Sequence, residues 1–130
     1  MKNSVNIKRE IVSDMASAIE RVTGALKGEG FGVLTRIDLH SKIHEKLGKD
    51  MSPVVILGAC NPQLAYEAYQ QNADVASLLP CNAVVRDIGG GRVSVELAKP
   101  SSLMLILGDE KLVAFAKQAD AQLERVLEKL

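Results

Sequence analysis

"CNAVVRDIGGGRVSVELA", Cys81 to Ala98, decides the fold. Two runs rich in Val and Ile, Cys81 to Ile88 and Arg92 to Ala98, flank three consecutive glycines, Gly89 to Gly91. Apolar β-branched runs separated by a short glycine turn read as a β-hairpin. A hairpin sets its two strands antiparallel, whereas neighbouring parallel strands need a crossover of a dozen or more residues. The glycines are not a phosphate loop, because a Walker loop leads through GK[ST] into a helix and here a strand follows.

Outward from the hairpin the chain alternates between helical and extended patterns. Val5, Ile7 and Ile11 alternate with polar residues, which predicts a half-buried strand interrupted by Arg9, as near an edge. Ser13 is placed to cap a helix with Asp14 in its first turn; Met15, Ile19, Val22 and Leu26 form its stripe, and Gly28 and Gly30 end it. Phe31 to Ile37 reads as a strand. Asp38 then caps a helix with Leu39, Ile43 and Leu47 on one face and Gly48 at its end. Pro53 to Leu57 is a nearly all-apolar strand, a pattern of burial on both faces. Asn61 caps a helix with Pro62 in its first position and Leu64, Ala65, Ala68 and Tyr69 inward. Asp74 is read as the cap of a short helical turn through Leu79. "SSLMLILG" fits strand or helix equally. From Asp109 the chain is helical to its end, with Leu112, Ala116, Ala119, Leu123, Val126 and Leu130 spaced 4, 3, 4, 3, 4 as a core face or a dimer seam. The expected class is α+β, helices over a mostly antiparallel sheet, in a single domain over residues 1–130.

Composition narrows the function. Of 130 residues, 47% are hydrophobic and 3% aromatic with no Trp, so the core must be aliphatic. Sixteen acidic residues balance sixteen basic ones, which gives no electrostatic footprint for nucleic acid or an anionic membrane. The opening "MKNSVNIKRE" holds no apolar signal core, and no apolar run approaches the ~18 residues of a bilayer span. A soluble cytoplasmic chain with reduced cysteines is expected.

Both cysteines precede an asparagine, Cys60-Asn61 and Cys81-Asn82. A thiol at a strand-to-helix junction such as Cys60 faces free N–H groups and the positive helix end, which favour the thiolate. The plainer reading is a small buried thiol at a tight turn beside Gly58 and Ala59. Cys81 starts a strand after Pro80, where core burial is the ordinary role. If the two strand ends lie side by side, the thiols could share a zinc or copper ion or form a transient disulfide. Two sulfurs are half a tetrahedral site, so Asp38, His40, His44 or a second subunit would complete it. His40 and His44, four apart, share a helix face and are weak metal candidates; no HExxH pattern accompanies them, and a solvated face is the commoner use. Asn61 is explained as a cap. Asn82 has no such explanation, which makes it the more informative amide. No Ser-His-Asp order, paired carboxylates or dinucleotide fingerprint supports an enzyme, and no cofactor is implied.

"EGFGVLTRID", "PVVILGACNPQLAYEAY" and "LLPCNAVVRD" together closely resemble the domain-of-unknown-function 302 family, with "ILGACNP" and "LLPCN" as its specific blocks. The resemblance runs nearly the whole chain. It implies a fold like that of the TATA-binding protein, with a helix after the first strand, an antiparallel sheet and a long C-terminal helix. It also implies a homodimer, and it brings no settled activity. The expected function is therefore a small-ligand-binding module with a pocket near Cys60, Asn61, Cys81 and Asn82, walled by Ile56, Leu57, Leu79 and Val84. The alternative is a thiol-based redox or metal-handling protein using Cys60 and Cys81.

Overall fold

The computed structural model describes residues 5–130. Met1 to Ser4, part of the opening read as lacking a signal core, lie outside the described residues. Five strands, β1 (Asn6–Val12), β2 (Gly32–Asp38), β3 (Val54–Cys60), β4 (Cys81–Gly89) and β5 (Arg92–Ala98), form one sheet. Among the described residues five helices accompany them: α1 (Met15–Gly28), α2 (Leu39–Leu47), α3 (Pro62–Gln71), α4 (Pro100–Ile106) and α5 (Glu110–Glu128), with a 3-10 turn over Ala73–Leu78. The strand order is β1-β5-β4-β3-β2, and every neighbouring pair is antiparallel. The glycine turn closes β4 on β5 with Gly89, Gly90 and Gly91 at φ 84°, 64° and 74°, a region where a Cβ is strained.

Strand alternation selects the core. Val55, Leu57 and Ala59 on β3, Ala83 and Val85 on β4, and Val93, Val95 and Leu97 on β5 are all buried in one cluster with Ala18, Val22 and Leu26 of α1 and Ala119, Leu123 and Val126 of α5. The long stripe of α5 is therefore a core face. Removing each of these side chains from water contributes roughly 1.5–3 kcal/mol for Val or Leu. A second cluster, Ala68, Val75, Met104, Leu112 and Ala116, lies between α3, the 3-10 turn, α4 and α5.

The other sheet face carries a buried acid. Glu96, 7% exposed, accepts from Arg86 Nε at 2.7 Å and from Ser94 Oγ at 2.9 Å. Arg9 sits on edge strand β1, opposite Val95, and its Nη1 donates to the Leu127 carbonyl at 2.7 Å. A cation at the last carbonyls of α5 complements the helix dipole, which explains a charge in an otherwise apolar alternation.

Several local expectations are corrected. Asp14, not Ser13, caps α1: its Oδ1 accepts from Ser17 N at 2.8 Å. Ser13 N–H instead donates to Gly91 O at 3.0 Å, tying the helix start to the hairpin. Asp38 stands at the start of α2 but does not cap it; its carboxylate is taken by Arg36 at 2.7 and 3.2 Å. Asn72 rather than Asp74 caps the 3-10 turn, accepting from Asp74 N at 3.0 Å. "SSLMLILG" is helical because Pro100 suits a first helical position and Ser101 and Met104, three apart, bury one face. Leu47 and Tyr69, read as inward, are 64% and 50% exposed; α2 buries no side chain and α3 buries Ala68. β3 runs three residues past Leu57, to Cys60.

Candidate functional site

The ends of β3 and β4 and the start of α3 meet above the seam between the two apolar clusters. Ala59 pairs with Cys81 across the sheet, so Cys60 and Cys81 are one residue out of register at the same end. Both line a pocket of about 60 Å³ walled by Phe31, Leu64, Leu79, Met104, Phe115 and Ala119, among others. At ~10–15 Å³ for one water, the space corresponds to roughly four to six water-sized positions. Asn61 also lines it. Its Oδ1 caps α3 by accepting from Leu64 N at 3.2 Å, and its Nδ2 faces Gln122 Oε1 at 3.5 Å. A Cβ on Gly30 would come within 3.3 Å of that amide.

Both thiols are free and half-buried. Burial pushes the Cys81 thiol up to about 11, and the neighbouring Cys60 and the Asp120 carboxylate push it the same way. Burial raises Cys60 too. The lowering expected of a helix N-terminus is not the outcome, because removal from water dominates the thiolate's energy. Both sulfurs are thiols at neutral pH.

Asp120 is a residue that the sequence reading missed. It is 8% exposed on α5. Its carboxylate accepts the Ser101 N–H at 3.0 Å and, through the second oxygen, the Ser101 hydroxyl. Lys99 makes no side-chain cap for α4, so Asp120 supplies that cap from a different helix. The available signal was an acid beside Ala119 on the inward stripe of α5, since a buried carboxylate requires partners.

The four Cys-Asn residues do not all converge. Cys60, Asn61 and Cys81 share the pocket, while exposed Asn82 opens onto a separate depression with Pro80, Val84, Ala98 and Leu103. Successive strand residues face opposite sides, so Cys81 and Asn82 part company. Of the expected walls only Leu79 lines the thiol pocket; Leu57 is core, and Ile56 pairs with Val84 on the opposite face. Gly58 pairs with Asn82 there, where a Cβ would meet Thr35 Oγ1 and approach Pro80 Cγ to 2.8 Å.

His40 and His44 lie apart from the thiols, on a depression with Ser41, Asp50 and Met51. Among the described residues no group of three or more His, Cys, Asp or Glu is placed to hold a metal. The sulfur pair is thus not completed by Asp38, His40 or His44 within one chain.

An antiparallel sheet under α1 and α5, with a small apolar thiol-bearing pocket at one end, defines an α+β domain. The chain belongs to the family described as "Domain of unknown function DUF302", whose model matches residues 7–130. It is similar to a solved structure titled "Crystal structure of uncharacterized conserved protein DUF302 from Bacillus stearothermophilus", at 33% identity and a TM-score of 0.90, covering 98% of each chain. Comparison with curated proteins found no match. Among the described residues no helix is long and apolar enough to cross a membrane.

Proposed function

We propose that the chain is a small-ligand-binding module, with its pocket between the strand ends at Cys60 and Cys81 and helices α3, α4 and α5. The observation that carries this reading is the lining of that pocket: apolar walls with the Asn61 amide and two protonated thiols as its polar groups. Apolar walls with a few polar groups are the usual make-up of ligand sites. A charged ligand would lose its hydration there without a compensating partner. The favoured occupant is therefore neutral, either a short alkyl or small-ring compound or the apolar end of a larger one.

The test is a titration with n-hexanol followed by backbone amide shifts. Saturable shifts centred on Ala59, Leu64 and Ala116 are expected. Ala116→Leu, which fills the pocket, should abolish them, and Cys60→Ser with Cys81→Ser should weaken them without unfolding the protein. Shifts indifferent to all three changes would overturn the reading.

The rival reading, thiol redox or metal chemistry at Cys60 and Cys81, is weakened by the upward displacement of both thiols, since the thiolate is the nucleophile and the ligand. The proposal includes a homodimer in the cytoplasm. Leu34 and Ile37, 66% and 47% exposed on edge strand β2, support a partner surface, and the two free cysteines fit a reducing compartment. Light scattering on the purified chain reads the mass directly, and a monomer would remove that part.

A further inference from the structure

His40 and His44 have no part in the pocket above. We propose that they bind one divalent late transition-metal ion, of the Zn²⁺ class, through their Nε2 atoms. Side chains four apart on a helix project from the same face, one turn above the other. Both line one open depression of about 310 Å³ with Ser41, Asp50 and Met51. Its size leaves room for the waters that complete a coordination shell.

Each ring already holds a partner at Nδ1. His44 Nδ1 lies 2.9 Å from Asp50 Oδ1. His40 Nδ1 lies 3.1 Å from the Val54 carbonyl and 3.0 Å from the Val54 amide nitrogen. Histidines that bind metals usually donate Nδ1–H to a carboxylate or a backbone carbonyl, which frees the Nε2 lone pair for the ion. Asp50 sets that tautomer at His44. His40 has both choices within reach. With hydrogen on Nε2, its Nδ1 accepts the Val54 N–H. With hydrogen on Nδ1, it donates to the Val54 carbonyl and Nε2 is free. A metal selects the second form. The Asp50 carboxylate also places negative charge beside the cation.

Two imidazoles are one fewer than the three protein ligands of a catalytic zinc site. The site is accordingly open and exchangeable, and its order of preference follows the imidazole ligands: Cu²⁺ above Zn²⁺. Mg²⁺ and Ca²⁺, which demand oxygen shells, are poor competitors.

The experiment is calorimetric titration of the untagged full chain with Zn²⁺, repeated by absorbance with Co²⁺. One ion per chain is expected, unaffected by excess Mg²⁺, with no thiolate-to-cobalt charge-transfer band. His40→Gln and His44→Gln should each remove the saturable phase. Asp50→Asn, which touches no metal in this scheme, should weaken it by about ten- to a hundredfold. α2 has no buried side chain, so the histidine changes leave the core intact, and a melt of each variant beside the parent protein separates lost binding from lost folding. Absence of saturable binding, binding that survives the double histidine change, or a thiolate band would each overturn the proposal.

Discussion

Replacing Asp120 with Ala removes the side chain that caps α4 from the neighbouring helix α5. The Ser101 N–H and hydroxyl lose their acceptor at a site where Ser101 is itself buried. Loss of a helix cap costs ~1 kcal/mol, and a buried donor left without a partner costs about 1–3 kcal/mol. Against this, the variant no longer desolvates a carboxylate, which holds the net loss near 2–3 kcal/mol. For a domain of this size that lowers Tm by roughly 5–12 °C. Ser101→Ala keeps the N–H bond and should cost less, about 1 kcal/mol. Asp120 bears also on the pocket, since its charge helps hold the Cys81 thiol up. The Cys81 titration should therefore move down in Asp120→Ala, yet stay above the ordinary thiol value because burial is the larger cause. Denaturant melts and thiol absorbance against pH read the two effects separately. A variant within ~0.5 kcal/mol of the parent protein, with an unmoved Cys81 titration, would refute the assignment of Asp120 as both cap and charge.

In the parent protein Cys81 should titrate near 11 and both thiols should react slowly with iodoacetamide at neutral pH, faster as pH rises; a thiol titrating below the usual ~8.5 contradicts this. Gly58→Ala places a Cβ 2.8 Å from Pro80 Cγ and against Thr35 Oγ1; overpacking of this kind costs about 1–3 kcal/mol, and Thr35→Ala should restore part of it in a double-mutant melt. Glu29 accepts from Arg125 Nε at 2.9 Å and Lys129 Nζ at 2.7 Å, and those bonds hold its carboxyl below the usual range. A depressed carboxyl stabilises above its unfolded value and loses that contribution as pH falls through the folded one. The Tm difference between parent and Glu29→Gln should thus be constant near neutrality and close below the ordinary glutamate range; a difference independent of pH would count against the pairing.

Where local chemistry and global packing agree, the sequence was readable. Gly89 to Gly91 need positive φ, and the hairpin they close sets β4 against β5 and hence the antiparallel class. Asn61 and Pro62 mark the start of α3 because a cap acceptor and a missing N–H suit those two positions whatever surrounds them. Failures came where a neighbour outbid the local rule. Arg36 holds the Asp38 carboxylate as an ion pair, so the expected cap of α2 has no side-chain acceptor. Ser13 lost its capping role to Asp14, whose carboxylate takes the Ser17 N–H, while the Ser13 hydroxyl donates to the Asp14 carbonyl at 2.8 Å.

The candidate site divides along the same line. Cys60, Asn61 and Cys81 were legible as a group because a strand end, a helix start and a second strand start must meet in an antiparallel sheet. Asn82 falls outside that group for a reason the sequence contains: the two-residue period that turns Cys81 toward the helices turns Asn82 away from them. Asp120 and Ser101 are different. Their contact joins α4 to α5 across nineteen residues, and no spacing rule within either helix encodes it. Only the presence of an acid on an apolar stripe hints at a partner, and the identity of that partner follows from how α4 folds back. The pocket's polarity therefore depends on a packing event, while its thiols depend on strand register. A change such as Asp120→Ala should alter the electrostatics at Cys81 without moving the strand ends, and Gly58→Ala should disturb the strand ends without touching that carboxylate. If the two changes prove additive in stability, sheet register and helix docking are independent determinants of the site; strong coupling would mean that closure of α4 on α5 also sets the alignment of β3 with β4.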